Sequence, residues 1–75
     1  MVIEFKVGSS KFWITIEPIT KIDGTHLGFA AFWNRFEPGL ILGEAVRENN
    51  KIVTFDSAKD AEDRAKQVIT KRVLE

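Results

Sequence analysis

The chain has 75 residues, with eleven basic and eleven acidic side chains, a formal net charge of zero, one histidine and no cysteine. That length holds one domain with one core and leaves a thin stability margin, while the missing thiols exclude disulfides and thiolate metal sites. One histidine is too few for a nitrogen-rich metal site, and a neutral domain has no global field to draw it onto nucleic acid or an anionic membrane. No metal or cofactor is therefore expected, and oligomerisation is the source of added stability that the composition leaves open.

Residues 2–7 (Val-Ile-Glu-Phe-Lys-Val) alternate with period two and predict a strand with Ile3, Phe5 and Val7 on one side. No basic leader or long apolar run precedes or includes them, so no signal peptide is expected. Gly8-Ser9-Ser10 reads as a turn, and residues 11–22 as a second strand in which Phe12, Ile14 and Ile16 alternate with Trp13, Thr15 and Glu17. Pro18 lacks a ladder donor and marks an edge position or a break. Asp23-Gly24 carries the signature of a two-residue type I′ hairpin, after which residues 25–36 run back as a third strand. Pro38-Gly39 makes the next turn and residues 40–48 a fourth strand. Asn49-Asn50 is a second type I′ pair, because asparagine tolerates positive φ, and residues 51–55 form a short fifth strand.

The helix is expected over residues 57–73, with Ser57 as cap and Asp60 three residues on. Acidic Asp60, Glu62 and Asp63 lie in its front half and basic Lys66, Lys71 and Arg72 in its back half, which suits the helix dipole. Ala58, Ala61, Ala65, Val68, Ile69 and Val73 make one apolar stripe. The fold class is thus α+β: a single domain, residues 1–75, with an antiparallel meander of four to five strands and one C-terminal helix packed on one face. The run Thr54–Ala65, about a sixth of the chain, resembles the strand-to-helix junction of small sheet-plus-helix families such as the plant-type Apetala DNA-binding domains and the arm-binding domains of tyrosine recombinases. The basic sheet residues that those domains use for DNA are largely missing here.

Two-residue turns fix which residues stand opposite each other. Asp23-Gly24 sets Ile14 against Trp33, Ile16 against Ala31 and Pro18 against Phe29. Asn49-Asn50 sets Val46 against Val53 and Glu44 against Phe55. Pro38-Gly39, if equally short, sets Trp33 against Glu44 and Ala31 against Val46. One face then gathers Phe12, Ile14, Ile16, Leu27, Phe29, Ala31, Trp33, Leu42, Val46, Val53 and Phe55, and belongs under the helix. The other carries Trp13, Phe32, Phe36, Ile41, Ala45 and Ile52, diluted by Thr15, Glu17, Asn34, Arg47 and Thr54.

One helix covers one face, so the second apolar face requires an explanation. Trp13, Phe32, Phe36, Ile41, Ile52 and Arg47 are the candidate interaction residues on it. The pattern favours a non-catalytic contact module that forms a homodimer or meets another protein, since aromatics and arginine are enriched in interface cores. The alternative is a nucleic-acid platform on the same aromatics, with Lys6 and Arg47 beside them. Neutral charge and the neighbouring Glu4 and Glu17 rank it second. Catalytic equipment is absent from the pattern: His26 follows a turn with no nucleophile and orienter beside it. Glu17, Glu37 and Glu44 form no acid–base pair, with Glu44 expected at the sheet rim, and the glycines form no phosphate-cradling loop. No stretch reaches membrane-spanning length, and a cytoplasmic protein without cofactor is the expectation.

Overall fold

The computed structural model describes residues 1–37 and 43–74. Strands β1 (Val2–Val7), β2 (Ser10–Thr20), β3 (His26–Asn34) and β4 (Glu44–Ala45) form a four-stranded antiparallel sheet in that order. Strands β5 (Arg47–Glu48) and β6 (Lys51–Ile52) form a separate two-stranded hairpin, and helix α1 (Ala58–Leu74) closes the chain. The architecture is therefore α+β with one helix on one side of an antiparallel sheet.

The core lies between that helix and the sheet. Phe12, Ile14, Ile16, Ala31, Trp33 and Val46 from the strands meet Ala61, Ala65 and Ile69 from α1, all buried. Alanine at two of the three helical positions lets the helix backbone approach the sheet closely. Each large side chain fully buried there contributes on the order of 1.5–3 kcal/mol. Phe12 and Trp33 pack edge to face, ring centroids 6.0 Å apart. The Ser57 hydroxyl accepts the Asp60 N–H at 3.1 Å and caps the helix as expected. Lys59–Asp63 and Glu62–Lys66 pair along its exposed side, one helical turn apart.

The β2–β3 register is the expected one, with Ile14 opposite Trp33, Ile16 opposite Ala31 and Pro18 opposite Phe29. The turn that produces it is not. Asp23-Gly24 is not a type I′ pair, because Asp23 has negative φ and only Gly24 is positive, at +91°. Gly24 N–H donates to the Lys21 carbonyl at 2.9 Å, and Lys21 N–H donates to the Thr25 carbonyl at 2.8 Å. This is a three-residue loop whose glycine supplies the left-handed position. The Asp23 carboxylate, accepting the Thr25 N–H at 2.9 Å, holds it there.

Such a loop shifts the pairing by one, so Thr20 faces His26. A β-bulge then restores the expected register by Ile19–Gly28, leaving Leu27 as the extra residue. Leu27, expected in the core, is accordingly 48% exposed. Pro18 sits where β1 has ended: β1 reaches Thr15 of β2, and the Met1 carbonyl accepts one further bond from Ile16 N–H. Its missing donor therefore falls beyond the last backbone bond between β1 and β2.

The edge beyond β3 departs furthest from expectation. Trp33 faces Glu44, and Val46 N–H donates to the Ala31 carbonyl at 2.9 Å, as the sequence predicts. Pro38-Gly39, Ile41 and Leu42 lie outside the described residues. The expected single strand over residues 40–48 instead breaks at Val46. Phe55 takes the next place along β3, exchanging two 2.8 Å backbone bonds with Phe29, and so faces Phe29 rather than Glu44. Residues 47–52 loop out between these two attachments on a type I′ turn, with Asn49 at φ +53° and Asn50 at +65°. The expected fifth strand is thereby reduced to Lys51–Ile52 plus this one bridge. Phe55 reaches β3 because Gly28 leaves room; a Cβ on Gly28 would stand 2.7 Å from the Phe55 carbonyl oxygen.

Candidate interaction face of the sheet

Alternation along β2 and β3 assigns Phe12, Ile14, Ile16, Ala31 and Trp33 to the helix side, and therefore Trp13, Thr15, Glu17, Ala30, Phe32 and Asn34 to the outer side. The pairings Val2–Thr15, Thr15–Phe32 and Phe32–Ala45 run one row of these residues across all four strands. Trp13 and Ala30 flank that row. Among the described residues no helix lies over it, since α1 packs on the opposite face. Trp13, Phe32 and Ala45 are half-buried, and Val2 is 55% exposed. Thr15 and Ala30 are small residues on central strands, walled in by larger neighbours, and are buried. The Thr15 hydroxyl has no hydrogen-bond partner among the described residues.

Charge on this face is unevenly placed. Lys6 stands opposite Lys11 at one end, and Glu17 opposite Ala30 towards the other. Lys11 Nζ lies 3.8 Å from the Glu4 carboxylate and 5.6 Å from the centre of the Trp13 ring.

Of the residues expected here, Trp13, Phe32 and Ala45 are brought together. Phe36 follows the end of β3 and is 79% exposed. Ile41 lies outside the described residues. Ile52 and Arg47 do not join the face: they stand opposite each other on the looped-out hairpin. Arg47 lines a cleft of about 290 Å³ with Arg64, Gln67, Val68 and Lys71 of α1, on the helix side. Both were placed by continuing the fourth strand past Val46, where it leaves the sheet. Val2 and Ala30 are face residues that sequence reasoning missed, and Val2 is the exposed one. The position of Val2 follows from a two-residue Gly8-Ser9 turn in place of the expected Gly8-Ser9-Ser10, which sets Val7 against Ser10 and hence Val2 against Thr15.

The acid–base candidates are dispersed. His26 is exposed and packs edge-on against Phe29, with 5.0 Å between ring centroids. Glu44 stands at the rim and pairs with Arg72 of the helix at 3.0 Å; the Arg72 guanidinium in turn lies 5.7 Å from the Trp33 ring centre. Among the described residues, no group of three or more histidine or acidic side chains is placed to hold a metal ion. No helix among them is long and apolar enough to cross a membrane. The Thr25 N–H holds the Asp23 carboxyl below the usual carboxylate range, and a hydrogen bond to Asp63 raises the Lys59 amine; both are fully exposed groups. No protein-family model, curated protein or solved structure matches this chain.

Proposed function

We propose that this chain is a non-catalytic contact module that associates with a second copy of itself through the outer face of the sheet. The observation that carries the reading is the row Val2–Thr15–Phe32–Ala45, flanked by Trp13 and Ala30, which crosses every strand of the sheet on the side away from the helix. A solvated antiparallel face alternates to polar residues, and a contiguous apolar patch on a small domain marks an interaction surface. The charges support a second copy as the occupant. A two-fold axis lying in the plane of the interface and crossing the strands sets the lysine end of one face over Glu17 of the other. An isologous contact uses the same patch twice in this way.

A nucleic-acid platform draws on the same aromatics, but Arg47 lies on the helix side and the face keeps only Lys6 and Lys11 as cations. Lys11 is already beside Glu4. Protein contact is therefore the stronger reading. Light scattering across a concentration series tests it with wild type and Phe32→Glu. The substitution is expected to abolish association through this face while the far-UV circular dichroism stays native. Association unchanged by both Phe32→Glu and Trp13→Lys would remove the proposal. Salt-sensitive binding to single-stranded or duplex probes would put nucleic acid in its place.

A further inference from the structure

The open edge of the sheet carries a second, separate signal, and this inference does not rest on the outer-face reading. We propose that β1 is a self-pairing edge, at which two copies join antiparallel in one register and merge their sheets into a continuous one. Among the described residues β1 has a neighbour on one side only. Met1 and Ile16 exchange both backbone bonds, at 2.9 Å and 3.3 Å. By alternation Ile3, Phe5 and Val7 also turn their N–H and C=O groups towards β2. Val2, Glu4 and Lys6 therefore present theirs at the free edge.

Natural edges are blunted by prolines, bulges, inward-pointing charges or charged side chains on the edge. β1 has no proline, bulge or inward charge, and its two charged residues, Glu4 and Lys6, are of opposite sign and so admit a partner strand in one register. Its pairing with β2 is unbroken from Val2 to Val7, and its inward side chains Ile3, Phe5 and Val7 are apolar and half-buried.

Backbone direction and charge together select the register. Only residues that face the edge form hydrogen-bonded pairs across it, so the central choices are Glu4 with Glu4, Lys6 with Lys6, or Glu4 with Lys6. The first two oppose like charges, which destabilises a strand pair. The third opposes Glu4 to Lys6 of the second copy, and by symmetry repeats the pair on the other side of the axis. It also brings Phe5 against Phe5 and Ile3 against Val7, so the apolar layer under the helix continues through the seam.

The isolated chain shows what such pairing resolves. Lys6 stands directly opposite Lys11 and has no carboxylate within 4.0 Å among the described residues, while Glu4 reaches Lys11 only at 3.8 Å. The second copy supplies the counterion that Lys6 lacks and gives Glu4 a second one. Helix α1 packs chiefly on β3 and β2, so it leaves the β1 edge accessible.

The test is a charge swap read by light scattering and sedimentation. Glu4→Lys and Lys6→Glu each oppose like charges at both symmetric positions, and each is expected to weaken edge association roughly tenfold or more. An equimolar mixture of the two variants restores opposite pairs and is expected to recover it as a heterodimer. Hydrogen exchange on the unmodified protein gives an independent readout. The Glu4 and Lys6 amides are expected to slow as concentration rises, while exposed turn amides do not. The edge is refuted if the wild type shows no association at millimolar concentration, if the single variants associate like wild type, or if their mixture gains nothing.

Phe32→Glu separates this interface from the outer face. An edge dimer survives Phe32→Glu and is recovered when Glu4→Lys is mixed with Lys6→Glu, whereas a face dimer is lost with Phe32→Glu. A wild-type tetramer that each variant reduces to a dimer establishes both contacts.

Discussion

Gly28→Ala tests the least regular part of the fold, the point where Phe55 replaces the departing β4 along β3. Gly28 has φ +141°, and an added Cβ would stand 2.7 Å from the Phe55 carbonyl oxygen and 3.2 Å from the Thr54 Cβ. The obstacle is backbone fixed by two 2.8 Å bonds between Phe29 and Phe55, so it does not swing aside as a flexible side chain would. Holding a non-glycine residue at such a φ costs about 1–3 kcal/mol. Opening the Phe29–Phe55 pair to relieve the clash forfeits about 0.5–1.5 kcal/mol per bond. Together these give a loss of roughly 2–6 kcal/mol, against a total stability of roughly 4–11 kcal/mol for a domain of this length.

Urea melts followed by far-UV circular dichroism measure that loss, and the melting temperature should fall by about 8 °C or more at about 4–8 °C per kcal/mol. Hydrogen exchange supplies the local signature, with the Phe29 and Phe55 amides losing protection before those of β1 and β2. Gly8→Ala is the comparison, since no atom lies within 4 Å of the added carbon there and the clash is absent. A Gly28→Ala protein within about 0.5 kcal/mol of wild type, with both amides still protected, would refute the reasoning.

Thr15→Val replaces a buried hydroxyl that has no partner among the described residues. It should stabilise the protein by about 1 kcal/mol, read as a higher urea midpoint at unchanged m-value; a destabilised variant would show that the hydroxyl is satisfied in solution. Asp23 should titrate below the ordinary aspartate range, because its ionised form accepts the Thr25 N–H. With the folded-state pKa depressed, the stability it lends the loop is fully present above the ordinary range and is lost as the pH falls through the folded value. Asp23→Asn keeps the acceptor and should flatten that acid-side loss, whereas an NMR titration midpoint at or above the ordinary value would contradict the assignment.

Where one periodicity dominated, the sequence disclosed its structure. The alternation of Phe12, Ile14 and Ile16 against Trp13, Thr15 and Glu17 placed β2 and sorted its two faces. Ser57 and the alanine stripe placed the helix and the side it buries. The β2–β3 register was legible although its turn was misread: Asp-Gly serves both a type I′ turn and a type I turn with a glycine bulge, and the Leu27 bulge cancels the one-residue difference.

The break at Val46 was not legible, because the alternating pattern runs through Val46 and Arg47 without interruption. The break arises from tertiary competition, since Phe55 claims the place opposite Phe29 that a longer β4 would occupy. The same competition carries Arg47 and Ile52 off the outer face, so half of the cationic support for a nucleic-acid platform was an artefact of extending one strand too far. Trp13, Phe32 and Ala45 were legible as one surface; Val2 was not, because Gly8-Ser9-Ser10 allows a two- or a three-residue turn and only the shorter one sets Val2 against Thr15.

An isotope-filtered NOE experiment, on a mixture of labelled and unlabelled protein at millimolar concentration, most directly addresses the outer face. Association through the outer face predicts intermolecular contacts joining the Trp13 indole and Phe32 ring of one copy to outer-face protons of another, with none from Ile69 or Ala65. An associated protein with no intermolecular contact at Trp13 or Phe32, or a protein that stays monomeric under those conditions, would contradict it.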